Sequence, residues 1–78
     1  MNTLQKVRPL ADYTLELTYD PQTIRLFDVK PYLEKGRFQE LKDPDKFNQV
    51  RISFDTVCWA NGVDLCPEVL YQDSKALS

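Results

Sequence analysis

The chain has 78 residues, 42% of them hydrophobic and 28% charged, with a formal net charge of -2. This composition is typical of an ordinary globular domain and excludes the disordered, fibrous and membrane-spanning classes. The length predicts one small domain over residues 1–78, and folding at this size removes only about 60 to 65% of the unfolded surface from water. A homo-oligomer or a protein partner is therefore an expected source of extra stability.

The first part of the chain predicts an antiparallel sheet built from hairpins. QKVRPL, residues 5–10, indicates a short edge strand, because Pro9 has no N–H group to donate inside a sheet. The segment DYTLELTYD alternates apolar and polar side chains, as a half-buried strand does. A turn at Asp20–Pro21 followed by TIRLFDV predicts a hairpin from Tyr13 to Val29.

Prolines preceded by capping residues predict short helices. Pro31 suits the first position of a helical turn, and Gly36 suits the left-handed residue that ends it. Asp43 is placed as an N-cap whose carboxylate accepts from free backbone N–H groups, with Pro44 starting the helix. Pro67 opens a last helix in the same way.

Two turns are predicted between residues 50 and 66. VRISF alternates ahead of a turn at Asp55–Thr56, and Asn61–Gly62 is a strong hairpin signal because both central residues of that turn adopt positive φ. This register pairs Trp59 with Asp64. It also pairs Ile52 with Trp59 and Phe54 with Val57, which gives one apolar face: Val50, Ile52, Phe54, Val57 and Trp59.

These elements together predict an α+β fold, with a small antiparallel β-sheet of hairpins and two or three short helices. The expected core spans about residues 7–73. Residues 74–78 are expected to form a frayed C-terminal tail.

The sequence also resembles a known family. DYTLELTYD, RLFDVKPYLEKGRFQELKD and FNQVRISFDTVCWANGVDLCPEVLY resemble, in order and spacing, the small bacterial family catalogued as domain of unknown function 2442. The resemblance runs from about Val7 to Tyr71, and the turn DPQT departs from the Asn-Gly or Asp-Gly usual in that family. Its most specific residues, called the signature residues below, are Asp28, Pro31, Trp59, Asn61, Gly62, Asp64, Pro67 and Glu68.

What the resemblance implies is an α+β domain with an antiparallel sheet and no catalytic residues. Members of the family often look like the smaller half of two-gene bacterial loci. The resemblance therefore implies an antitoxin-like or regulatory role.

Trp59 and Asp64 each allow two interpretations. Trp59 is either a core residue whose indole N–H donates to Asp64, or an exposed anchor for a partner. Asp64 alternatively accepts backbone N–H groups where the last helix begins, and in either case we expect it to support the turn into that helix.

The two cysteines predict neither a metal site nor a disulfide. A zinc site needs about four ligands, and the chain has two Cys and no His. On the predicted register Cys58 lies opposite Leu65, so Cys66 falls on the other side of the strands. We expect two unpaired thiols and no cofactor.

No catalytic constellation emerges from the sequence. There is no His, no Gly-x-Ser-x-Gly motif and no phosphate-binding glycine loop, and the chain has only two glycines. Asp64 and Glu68 are the one candidate carboxylate pair, and a cap with a first-turn acid explains both. The protein is therefore not expected to be an enzyme.

Charge suggests two candidate interaction surfaces. Residues 52–78 carry Lys75 as their only cation against four acids, which favours a basic protein partner at the surface Asp64, Glu68, Leu70, Tyr71 and Asp73. A nucleic-acid patch would use the cations Lys30, Lys35, Arg37, Lys42 and Lys46, although acids interleave with them.

We therefore expect a non-enzymatic interaction or regulatory domain, antitoxin-like toward a small basic toxin from a two-gene locus. The alternative is a dimeric, DNA-binding regulator. The N-terminal residues show no signal peptide, so the expected location is the cytoplasm, without membrane contact.

Overall fold

A computed structural model describes residues 3–20 and 23–77, and it shows an α+β fold with two antiparallel sheets. In chain order its strands and α-helices are β1 (Leu4–Leu10), β2 (Thr14–Tyr19), β3 (Thr23–Asp28), α1 (Pro44–Phe47), β4 (Arg51–Ser53), β5 (Thr56–Cys58), α2 (Pro67–Gln72) and β6 (Lys75–Ala76). Short 3-10 helices cover Ala11–Tyr13, Lys30–Tyr32 and Gly36–Lys42. The predicted fold class is confirmed.

The larger sheet has the strand order β1-β2-β3-β6, with every pair antiparallel. The predicted edge strand and hairpin are both present, and Leu17 at the centre of β2 lies between Val7 and Arg25. Pro9 lies in β1, where an edge position tolerates its missing N–H. The predicted turn residue Pro21 lies outside the described residues.

The hydrophobic core lies on one face of this sheet, called the inner face. The alternation of β2 places Leu15, Leu17 and Tyr19 on that face, where all three are buried. The helices and the smaller sheet cover this face with another set of buried side chains: Leu41, Phe47, Val57, Trp59, Val63, Leu65 and Leu70.

The opposite face, called the outer face, is open to solvent. The strand register assigns to it Lys6, Arg8, Leu10, Thr14, Glu16, Thr18, Ile24, Leu26, Asp28 and Lys75. None of these side chains is buried. The sheet is therefore covered on one side only.

The C-terminal segment is ordered, so the prediction of a frayed tail is wrong for residues 74–77. Ser74 is buried and accepts from Arg25 Nε at 2.5 Å, and Leu77 donates its N–H to the Ile24 carbonyl at 3.0 Å. The strand β6 between them is only two residues long, too short to produce an alternating pattern. Ser78 lies outside the described residues.

The predicted helix caps are largely correct. Asp43 Oδ1 accepts from the Asp45 N–H at 3.0 Å, and Pro44 begins α1. Pro31 lies in a 3-10 turn, and Gly36 has a left-handed φ of 48°. Gly36 starts the next 3-10 helix instead of ending the first one.

The smaller sheet differs from its predicted register by one residue at each turn. The first loop is Phe54–Asp55, with φ of 50° and 68°, so Ile52 pairs with Val57. The predicted turn required Thr56 to adopt positive φ, which a β-branched residue resists. The predicted pairs of Ile52 with Trp59 and of Phe54 with Val57 are therefore wrong.

Candidate interaction surface

The loop that follows β5 holds two of the signature residues. It contains Ala60, Asn61 and Gly62, with Gly62 N–H donating to the Trp59 carbonyl at 3.0 Å and Trp59 N–H donating to the Val63 carbonyl at 2.9 Å. This is a three-residue hairpin with glycine at the left-handed position, φ 89°, and not the predicted two-residue turn. Asp64 therefore pairs with Cys58 and not with Trp59.

Trp59 is a core residue. It is 3% exposed, and its indole N–H donates to the Phe47 carbonyl at 3.0 Å, so the proposed bond to Asp64 is absent. The Phe47 and Phe38 rings both lie 6.2 Å from the Trp59 ring, centroid to centroid. This signature residue joins α1 to the smaller sheet and does not face a partner.

Asn61 stabilises its own loop. Its side-chain oxygen accepts from the Val63 N–H at 3.1 Å, and its amide nitrogen donates to Glu40 Oε1 at 3.2 Å. The Gly62 φ favours glycine on conformational grounds, and an added Cβ would lie 3.4 Å from Arg37 Nη1. These two signature residues therefore have structural explanations.

Asp28 and Pro31 act at the end of β3. Asp28 Oδ1 accepts from the Lys30 backbone N–H at 2.9 Å and lies 3.1 Å from the Lys30 ammonium. Burial opposes ionisation of Asp28, but the hydrogen bonds and charge of Lys30 outweigh it, so the pKa of Asp28 is lowered. The side chain thus fixes the turn that leads into Pro31 and the first 3-10 helix after the sheet.

The candidate partner surface is only partly exposed. Leu70 is 0% exposed, so its proposed role as a surface anchor is wrong, because the apolar side of α2 packs into the core. Tyr71 is half-buried with the Arg25 guanidinium 4.3 Å from its ring centre. Asp64, Glu68 and Asp73 are exposed.

Those three acids differ in their contacts. Asp73 accepts from the Tyr32 hydroxyl at 3.2 Å, while burial and this bond raise the pKa of Tyr32. Glu68 lies in the first turn of α2, after Pro67, where an acid is favoured. Asp64 has no side-chain hydrogen bond to another described residue. The N-cap of α2 is Cys66, whose side chain makes no capping bond. Asp64 therefore does not cap this helix.

The five cations of the candidate nucleic-acid patch are mostly engaged with neighbours. Ion pairs hold Lys30 to Asp28 and Asp12, Arg37 to Glu40, and Lys42 to Glu34. Lys35 lies over the Tyr32 ring at 5.4 Å. Lys46 alone of the five has no such contact with another described residue. The patch is therefore largely neutralised.

The two thiols are unpaired, with Cys58 half-buried and Cys66 exposed. The predicted register that placed them on opposite sides is wrong, because Cys58 pairs with Asp64 and not with Leu65. Within residues 3–20 and 23–77, no three His, Cys, Asp or Glu side chains are grouped to hold a metal.

Phe54 does not lie where the predicted register of the smaller sheet places it. It was assigned to the core face, whereas it is 95% exposed at the tip of the β4–β5 hairpin. A non-glycine residue with positive φ is uncommon and is unfavourable for a bulky side chain. The following residue, Asp55, holds the tip in place by accepting from the Leu4 N–H at 2.9 Å.

The segment SFDT, residues 53–56, contains a sequence signal for the position of this turn. Thr56 is unsuited to positive φ, whereas Asp55 tolerates it, so the two-residue turn has to fall on Phe54–Asp55. Ile52, two residues before Phe54, is also 38% exposed. The hairpin thus presents two apolar side chains to solvent, and we call Ile52 and Phe54 the hairpin tip.

The arrangement defines a small α+β domain with a one-sided antiparallel sheet and an exposed apolar hairpin tip. The chain belongs to the family described as "Protein of unknown function (DUF2442)", whose model matches residues 4–76. Comparison with curated proteins and with solved structures gave no match. Within the described ranges, no helix has the length and apolar character needed to cross a membrane.

Proposed function

We propose that this chain is a non-enzymatic protein-interaction domain that binds its partner through the hairpin tip. The carrying observation is Phe54, an aromatic side chain that is 95% exposed on a left-handed backbone. Aromatic residues, phenylalanine included, are enriched at protein interfaces relative to the rest of the surface.

The backbone at Phe54 makes a purely structural role unfavourable. A non-glycine residue in the left-handed region costs about 1 to 3 kcal/mol, and the exposed ring recovers none of it through packing. Glycine or asparagine would form the same turn with less strain. A phenylalanine here is unfavourable for folding and is explained by burial against a partner.

The charge distribution supports a basic partner. Asp64, Glu68 and Asp73 are exposed, and the first two have no ion pair with another described residue. These acids attract a basic protein through long-range electrostatic interactions. The narrower proposal is an antitoxin-like partner of a small basic toxin encoded beside this chain in a two-gene bacterial locus.

The test is co-expression with the product of the neighbouring gene. We expect the two proteins to co-purify and this chain to restore growth that the neighbour inhibits. Phe54→Gly should abolish co-purification while the chain remains folded. Gln49→Ala, which changes an exposed residue outside both the hairpin tip and the outer face, is the control and should bind normally.

The experiment distinguishes the proposed interaction domain from the narrower antitoxin role. If a partner co-purifies through Phe54 but the neighbour does not inhibit growth, the antitoxin role fails and the interaction domain stands. If Phe54→Gly binds as well as the unaltered chain, the hairpin tip is not the anchor.

A further inference from the structure

The outer face of the four-stranded sheet combines an apolar strip with flanking cations. Ile24 is 39% exposed and Leu77 54% exposed, and Leu77 N–H donates to the Ile24 carbonyl. Leu26 lies two residues from Ile24 along β3 and shares its face. These three side chains form a continuous strip along one side of the sheet.

Cations border this strip on both sides. Lys75 is opposite Leu26 on β6, while Lys6 and Arg8 lie across the sheet on β1. Arg8 pairs with Glu16 at 3.2 Å, whereas Lys6 and Lys75 have no ion pair with another described residue. The outer face is therefore amphipathic, with the cations Lys6, Arg8 and Lys75 outnumbering the acids Glu16 and Asp28, in contrast to the acidic side that carries Asp64 and Glu68.

The cations on β1 also border an open depression. It is lined by Lys6, Val7, Arg8, Glu16, Thr18 and Ile52. Its lining combines the apolar side chains of Val7 and Ile52 with the cations Lys6 and Arg8, which suits a ligand that has both apolar and acidic groups.

The edge of β1 argues against an added β-strand as the occupant. Asp55 already binds the Leu4 N–H, and Pro9 has no N–H to donate. A sheet that is covered on one face only is completed by a layer packed on its other face. The favoured shape of the occupant is therefore a helix laid across the outer face.

We propose that the outer face binds an acidic amphipathic helix of a protein partner, with its apolar side on Ile24, Leu26 and Leu77 and its carboxylates near Lys6 and Lys75. The face has no aromatic side chain among its described members, which disfavours stacking on nucleic-acid bases. This surface adjoins the hairpin tip at Ile52, which lines the same depression as Lys6 and Arg8, but it does not depend on the function proposed for Phe54.

The probe is a stapled helical peptide of about 14 residues, long enough to cross four strands spaced about 4.8 Å apart. It has leucines on one side and glutamates on the flanks, and its matched control has lysines in place of the glutamates. Isothermal titration should show the glutamate peptide binding at least tenfold tighter than the lysine peptide. The difference should shrink as salt is added.

Two variants locate the site. Leu26→Glu should abolish binding of the glutamate peptide, and the double variant Lys6→Glu, Lys75→Glu should reverse the preference in favour of the lysine peptide. Phe54→Gly should bind the glutamate peptide normally, which separates this surface from the anchor proposed at Phe54. Native Trp59 fluorescence checks that each variant remains folded.

Five outcomes would overturn the proposal. Equal binding of the two peptides, or binding of neither, rules out an acidic helix. Binding of anionic phosphatidylglycerol vesicles or of a short DNA duplex that is lost in Leu26→Glu would assign the face to a lipid surface or to nucleic acid instead. Self-association that the same substitution abolishes would assign it to a second copy of the chain.

Discussion

The carboxylate of Asp55 accepts a hydrogen bond at 2.9 Å from the backbone N–H of Leu4, 51 positions earlier in the chain. This contact joins the tip of the β4–β5 hairpin to the first residue of the edge strand β1. It satisfies an N–H that would otherwise be open to another strand, and it holds Phe54 in its exposed position. One side chain thus protects the sheet edge and positions the proposed anchor.

Replacing Asp55 should test both effects. Asp55→Ala removes the acceptor for Leu4 and places a less tolerant residue at a φ of 68°. We expect the free energy of unfolding to fall by about 1 to 2 kcal/mol. Urea denaturation measures this, and Asp55→Asn, which retains both an acceptor oxygen and tolerance of positive φ, should lose less than half as much.

Phe54 should show the opposite behaviour. Phe54→Gly removes an exposed ring from a left-handed position and should raise the free energy of unfolding by about 1 kcal/mol. Phe54→Ala retains a Cβ at the same φ and should change stability much less. A loss of stability in Phe54→Gly would show that the ring supports folding, contrary to the proposed function.

Two aspartates with similar sequence settings should differ in their contributions to stability. Asp43 and Asp64 both precede a helix, but only Asp43 accepts a backbone N–H at the helix start. Asp43→Ala should lower the free energy of unfolding by about 1 kcal/mol, the usual cost of losing an N-cap. Asp64→Ala should change it by less than about 0.5 kcal/mol, as for other surface substitutions.

The sequence predicts well those strands and caps that depend on neighbouring side chains. Alternation predicted β2, β-branched and aromatic residues after a turn predicted β3, the proline in β1 indicated an edge strand, and Asp43 before Pro44 indicated a cap. Each of these signals is local, because it depends on side chains within a few residues. The family resemblance, also carried by short motifs, extends over the same part of the chain as the family match.

The features that were missed depend on registers or on distant partners. A one-residue difference at each turn moved Phe54 out of the core and gave Asp64 a different cross-strand partner. The acceptor of the Trp59 indole is a backbone carbonyl of α1, and no sequence pattern specifies it. The pairing of β6 with β3 involves two residues and depends on Arg25 binding Ser74.

Tyr19 should limit stability at alkaline pH. Its hydroxyl is buried without a hydrogen-bond partner among the described residues. Burial, followed by the negative charge of Asp55, raises the pKa of Tyr19 from 10.0 to about 12. Between these two values the unfolded chain loses a proton that the folded chain keeps, so the free energy of unfolding falls as pH rises from 10 to 12.

The size of this effect follows from the pKa difference, since two units correspond to about 2.7 kcal/mol. Tyr19→Phe removes the ionising group and an unpaired buried hydroxyl. It should therefore be at least as stable as the unaltered chain at pH 7 and should lose less stability between pH 10 and 12. Urea unfolding across this range measures both quantities, and Tyr13→Phe, at a tyrosine whose hydroxyl donates to the Lys42 carbonyl, is the control. Equal alkaline losses in Tyr19→Phe and in the unaltered chain would show that another group governs the transition.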